Sequence, residues 1–291
     1  MMSAGGSDET RLVVVGVDGS QRNLTAVRWA AHAADQRGAR LRLVCVVNEY
    51  DVLNPDMHAV PPESWAPAAS EQARATATDT CPDLSAEKAI HFGHPGPVLA
   101  QEAQHADLLV VGRRGGSRLS ERLLGSAALS AVKHSHALTV VVPTAWLPQS
   151  QAPVVVGVGL AGGDQVLDVA FSEAQRLGVP LQVLRTWNVR PELGWDTAIL
   201  YEEFPRWDQE MRHELDELVE PWAAKYPAVD VRQRVEHGDP TVVLREAAAH
   251  ASLVVVGNHE RRFGVPHQKL GSVARSVLHH VTAPVMVVPL P

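Results

Sequence analysis

One stretch of the chain could hold an anion. In GRRGGSRLSERLLGS (112–126), Gly112, Gly115, Gly125 and Ser126 are spaced G-x2-G-x9-G-S. Glycine reaches positive φ and lets a ligand come close to the backbone. Gly125-Ser126 precedes the helical pattern SAALSAVKH, where free N–H groups and the helix dipole favour negative charge. The Ser126 hydroxyl could donate to a phosphate or act as a plain N-cap, and the two roles are compatible. Arg113, Arg114 and Arg118 add local positive charge, although charged loop residues are commonly just solvated. A second candidate is Asp18 in VGVDGS, just past an apolar run and before a helical pattern. Its carboxylate could accept a hydrogen bond from an adenine amino group or a ribose hydroxyl, while its plain reading is a turn acid.

Competing chemistries lack their residues. A P-loop needs G-x4-G-K-[ST], and GVDGSQ is not the G-x-G-x-x-G of a dinucleotide site. VDGS also lacks the Ser-Gly-Gly opening of ATP-pyrophosphatase loops. The 14 histidines form no H-E-x-x-H or Cys/His metal spacing. His134 and His136 would not share a helical face, and they and the His279-His280 pair read as solvated or capping groups. No nucleophile-elbow G-x-S-x-G is present, and Glu202-Glu203, Glu214 and Glu217 read as the wet face of a helix.

The elements that must position these residues are short and apolar. RLVVVGV, LRLVCVV, ADLLVVG and ALTVVVP are the near-continuous runs expected of strands buried on both faces of a parallel sheet. EKAIHFG (87–93) is a weaker fifth candidate. Between the first two runs, Leu24, Val27, Ala31 and Ala34 recur at helical spacing, with Ser20 as expected cap and Gly38 as stop. PPESWAPAASEQARATATDT is Ala-rich and poorly patterned, whereas its later counterpart carries a stripe of Phe204, Trp207, Met211, Leu215, Leu218 and Trp222 that reads as packing. Alternating strands and helices predict an α/β, Rossmann-like, doubly wound fold. In such sheets ligands gather beyond the carboxyl ends of the strands at the switch point. The first and fourth strand ends of each repeat are therefore the places to look.

The chain repeats itself. RLVVVGVDGS (11–20) returns as APVVVGVGLA (152–161), GHPGPVLAQEAQHADLLVVGR (93–113) as GDPTVVLREAAAHASLVVVGN (238–258), and LLGSAALSAVKHSHALTVVVP (123–143) as KLGSVARSVLHHVTAPVMVVP (269–289). So long a period means a duplicated domain. The expected domains are 1–146 and 152–291, joined by the polar, Pro-containing WLPQSQAP (146–153).

Bulk properties set limits on function. At 45% hydrophobic and 20% charged residues, the 291-residue chain has a globular composition. A net charge of -7 disfavours general nucleic-acid binding. No apolar run is long enough to span a bilayer, and MMSAGGSDET has no signal-peptide core and reads as a disordered lead-in. Cys45 and Cys81 alone make no disulfide framework, Cys45 reads as a small buried hydrophobe, and the expected compartment is the cytoplasm.

Taken together, VVVGVDGS with its helix, LRLVCVV, GHPGPVLAQEAQHADLLVVGRRG and the glycine signature resemble the universal stress protein family in its tandem two-domain form. The resemblance spans nearly the whole chain. It implies a mainly parallel five-stranded sheet in each half and ATP, with or without Mg2+, at the strand ends. It implies that Val17 and Asp18 meet the adenine–ribose end and that Val46 forms part of the adenine wall. Gly112, Arg114 and Gly115 would line the ribose and phosphates, Arg114 at a position that varies in the family, and Gly125 and Ser126 would bind phosphates. It also implies pairing through the last strand of each domain, as a homodimer or as an intramolecular pseudo-dimer.

The second repeat departs from this pattern. Gly159 stands where Asp18 would align, Thr186 where Val46 stands, and Glu260 where Gly115 stands, with one extra residue between Gly257 and Gly271. A carboxylate beside a polyphosphate repels it, with Arg261 and Arg262 as partial compensation, so the first repeat is expected to bind ATP and the second weakly or not at all. A binding signature without catalytic residues favours a regulatory ATP-binding module. The alternatives are a slow ATPase or adenylyl-transfer enzyme, which needs metal and charge stabilisation, and a scaffold that binds no nucleotide.

Overall fold

The computed structural model describes residues 11–48, 62–113, 124–149, 151–159, 163–188, 197–258 and 270–290. The chain divides into two compact units, one of residues 1–119 and 125–139, the other of residues 120–124 and 140–291. Among the described residues of the first unit the elements are β1 (Leu12–Val17), α1 (Leu24–Arg37), β2 (Arg40–Val47), α2 (Pro62–Thr80), β3 (Ala86–Phe92), α3 (Pro95–Glu102), β4 (Leu108–Gly112) and α4 (Ser126–His134). The division falls within β5 (Leu138–Val142). The first four strands lie in the order β3-β2-β1-β4, and their pairings are parallel.

The apolar runs form strands because both faces are covered. Val13, Val14 and Val15 of β1 and Leu108, Leu109 and Val110 of β4 are fully buried. Leu24, Val27, Ala31 and Ala34 form the buried face of α1, which Gly38 ends in the left-handed region at φ 58°. The start of α1 differs from the expectation. Its N-cap is Asn23, and Ser20 accepts from the Asn23 N–H one turn earlier, through both its hydroxyl (3.2 Å) and its carbonyl (3.0 Å). The unpatterned segment is a helix after all. Its buried stripe is Ala66, Ala69, Ala73 and Ala77, at helical spacing but too small to stand out among other alanines. β3 forms the edge of this order, and its Ile90 and Phe92 are exposed.

The second unit repeats the plan with β6 (Val154–Gly157), α5 (Gly163–Leu177), β7 (Leu181–Trp187), α6 (Thr197–Lys225), β8 (Val231–His237), α7 (Pro240–Ala248), β9 (Leu253–Asn258), α8 (Ser272–His280) and β10 (Val285–Pro289). Its order is β10-β9-β6-β7-β8, all parallel. A packing detail is copied with the plan. A Cβ on Gly16 would stand 2.9 Å from Leu99, and one on Gly157 would stand 2.9 Å from Leu244. Glycine there lets the crossover helix lie close on the central strand. His134 and His280 both approach the carbonyl four residues back, at 2.7 and 2.8 Å, satisfying the last turns of α4 and α8.

Candidate functional site

In the first unit, β1 and β4 are parallel neighbours with Val15 opposite Val110, so Val17 and Gly112 reach the same edge of the sheet. Asp18 is the next residue after β1. Its Oδ1 accepts the Ser20 N–H at 2.9 Å, which fixes the carboxylate within the turn. Burial pushes its pKa above the usual 3.8, while the Ser20 hydrogen bonds oppose the rise. The turn role expected of this acid is therefore real, but it leaves a desolvated carboxylate at the strand ends. Gly19, at φ 76°, turns the chain away against Ala69 and Trp65 of α2. Asn23, buried beneath, donates from Nδ2 to the Gly16 carbonyl at 3.0 Å.

At the end of β4 the Gly125 N–H donates to the Arg113 carbonyl at 2.8 Å, closing the ends of the glycine loop. Gly125 itself is the N-cap of α4, with extended φ −65° and ψ 149°. Ser126 is the first helical residue, and no side chain caps the helix. The capping role considered for Ser126 thus falls one position earlier, on a residue without a side chain. The first-turn N–H groups of α4 face outward from this end, as in anion sites. Burial lowers the pKa of Arg113, so a nearby anion would stabilise its charge. Arg114, Gly115 and Arg118 lie outside the described residues, as do Glu260, Arg261 and Arg262.

Val17 and Val46 are both buried at the strand ends. Cys45, opposite Val17 in the β1–β2 register, is fully buried, as its reading as a small hydrophobe expects. Burial pushes its thiol up to about 11; Ser70 on α2 opposes the rise and Asp18 adds to it. Cys45 is therefore a neutral thiol near the Asp18 carboxylate.

The second unit places other groups at the equivalent positions. Gly159 follows Val158 at the end of β6, and Arg185 occupies the register position of Cys45. Arg185 is buried and donates from Nη2 to Glu214 of α6 at 2.5 Å. Gly257 is the next-to-last residue of β9, where a Cβ would stand 2.8 Å from Leu290 and 3.0 Å from Val166, so packing favours glycine there. The aromatic stripe of α6 is packing only in part. Phe204 and Trp207 meet Trp187 edge-to-face and Leu215 is buried, but Met211 and Trp187 line a cavity of about 490 Å3 at this edge. Among the described residues no helix is long and apolar enough to cross a membrane, and no cluster of three or more His, Cys, Asp or Glu could hold a metal.

Comparison with known proteins agrees with the duplication. The family model described as "Universal stress protein family" matches residues 9–143 and again 152–289. A universal stress protein of Mycobacterium tuberculosis is 33% identical over 96% of this chain and 95% of its own, as is one of Mycobacterium bovis. Among solved structures, a universal stress protein of Archaeoglobus fulgidus superposes with a TM-score of 0.63 at 17% identity, over 95% of each chain. A protein of Pseudomonas aeruginosa PAO1, described as functionally unknown, does so with a TM-score of 0.67 at 16% identity, over 96% of this chain and 92% of its own. These two show the fold.

Proposed function

Since the chain belongs to the universal stress protein family, we propose that its first unit binds ATP and that the protein is a regulatory nucleotide-binding module of the stress response. One observation carries this reading. The first unit joins a desolvated acceptor, Asp18, at the end of β1 to an uncapped helix start, Gly125-Ser126, after the adjacent β4. A nucleoside polyphosphate has the matching polarity, with hydrogen-bond donors on its base and sugar and negative charge at its other end. Val17 and Val46 supply apolar wall beside the acceptor. In this reading Gly112, Arg114 and Gly115 line the path between the two ends, and Mg2+ accompanies the phosphates. Bound nucleotide would act by its differential affinity for two conformational or assembly states.

The test is mass analysis of nucleotide carried through purification, followed by titration of the emptied protein with ATP and a phosphate-release assay. The expected result is one ATP per chain with negligible release. Two equivalent sites per chain would refute the assignment to the first unit alone. Sustained release abolished by Gly115→Glu would make the protein an ATPase. No nucleotide and no affinity would make it a scaffold.

A further inference from the structure

We infer that the second unit binds a small apolar α-amino acid, as its zwitterion, in the cavity at the carboxyl ends of β6, β7 and β9. This does not depend on nucleotide binding by the first unit. The cavity, about 490 Å3, is of small-ligand size, and Trp187, Met211, Leu244, Val256 and Val273 give it apolar walls. A neighbouring hollow of about 470 Å3 shares Gly159, Gly163 and Arg185 with it and carries Asp164, Glu214 and Glu217. Arg185 therefore stands where an apolar chamber meets an acidic one.

Each part asks for a different group. Arg185 is only 6% exposed, and among the described residues Glu214 is its one hydrogen-bond acceptor. A guanidinium has five N–H donors in a planar fork that suits a carboxylate. These donors call for a carboxylate. The acidic hollow holds three carboxylates against one guanidinium, which favours an ammonium and disfavours a polyphosphate. The apolar walls call for a hydrocarbon or aromatic side chain. An apolar α-amino acid carries all three groups on one carbon. The same edge in the first unit has Asp18 and Cys45 in place of Gly159 and Arg185, a carboxylate and a thiol where the second has a guanidinium.

The test is calorimetric titration of the full-length protein with four probes: L-phenylalanine, phenethylamine, 3-phenylpropionate and L-alanine. We expect one L-phenylalanine per chain, with each of the other three weaker by about tenfold or more, the scale of one charged hydrogen bond or one buried ring. Arg185→Met should bind L-phenylalanine and phenethylamine alike, and Glu217→Gln should narrow the gap between L-phenylalanine and 3-phenylpropionate. If circular dichroism shows Arg185→Met unfolded, Gly159→Asp serves in its place. It sets an acid beside Arg185 and should weaken L-phenylalanine about tenfold. Equal binding of all probes, no heat with millimolar L-phenylalanine, or binding abolished by Asp18→Asn or by saturating ATP would overturn the proposal.

Discussion

At the end of β1 the first unit sets Asp18 near Cys45 and Ser70; at the end of β6 the second sets Gly159 near Arg185 and Glu214. Strand order, the glycine under the crossover helix and the glycine before the last helix are the same in both. The charged groups at the strand ends differ. One unit buries a carboxylate beside a neutral thiol, and the other buries a cation whose counter-ion is half-exposed. The duplicated features are those that packing enforces, since a side chain at Gly16 or Gly157 would collide with a leucine. The residues that changed sit at or within two residues of the strand ends, on the edge that packing leaves open. A duplicated fold can thus keep the same strand-end edge twice and set different charged groups at each copy.

The largest effect expected is from importing the second repeat's glutamate into the first. Gly115→Glu puts a carboxylate beside the proposed phosphate path, and like charges at that range cost several kcal/mol. ATP affinity should fall about 100-fold or more by titration, with the circular dichroism spectrum unchanged. The reverse change, Glu260→Gly, should leave the stoichiometry at one ATP per chain, because Gly159 and Arg185 remain. A second site appearing in that variant would show that the glycine loop alone decides binding.

Asp18→Asn comes next and separates binding from stability. Losing a charged acceptor should weaken ATP by about 10-fold to 100-fold. The unliganded protein should respond in the opposite sense. Burial holds the folded pKa of Asp18 above the usual 3.8. Its contribution to stability is therefore complete below that usual value and is lost as pH rises through the folded pKa. Asparagine keeps an acceptor for the Ser20 N–H and does not ionise. The melting temperature of Asp18→Asn should exceed that of the parent at neutral pH, and the difference should shrink as pH falls towards 3.8. A difference that grows on acidification would mean that Asp18 is stabilised as the anion.

What could be read from the sequence follows the physics of each signal. VVV and LLVV announced buried parallel strands, because a strand covered on both faces has no polar alternation to confuse it. Asp18 and Gly125-Ser126 were visible because a strand end and a helix start in a doubly wound sheet place them at one edge. α2 was obscure because its buried stripe is alanine on an alanine-rich background. Arg185 carries a signal of its own in LQVLRTW, since a charge within a buried strand must find a partner. That partner, Glu214, reads as part of the wet face of its helix and is half-exposed, and it lies far away in sequence. Spacing could not join the two.

The smaller tests concern how each unit seats its crossover helix. A Cβ on Gly96 of α3 would stand 2.3 Å from the Ser130 side chain, so α3 lies against α4 only because this residue is glycine. The second repeat has Thr241 there. Gly96→Thr should cost about 1–3 kcal/mol by overpacking. It should also weaken ATP, because Gly125 and Ser126 ride on α4. The smallest effect is expected from the adjacent cap. Asp239 caps α7 by accepting the Thr241 N–H at 2.7 Å, whereas His94 of the first unit makes no side-chain bond at the start of α3. His94→Asp should therefore add about 0.5–2 kcal/mol to the stability of the first unit in chemical denaturation. A cap touches neither α4 nor the end of β1, so ATP affinity should stay the same. A gain in stability accompanied by a change in affinity would mean that α3 itself, and not only its contact through Gly96, positions the phosphate end.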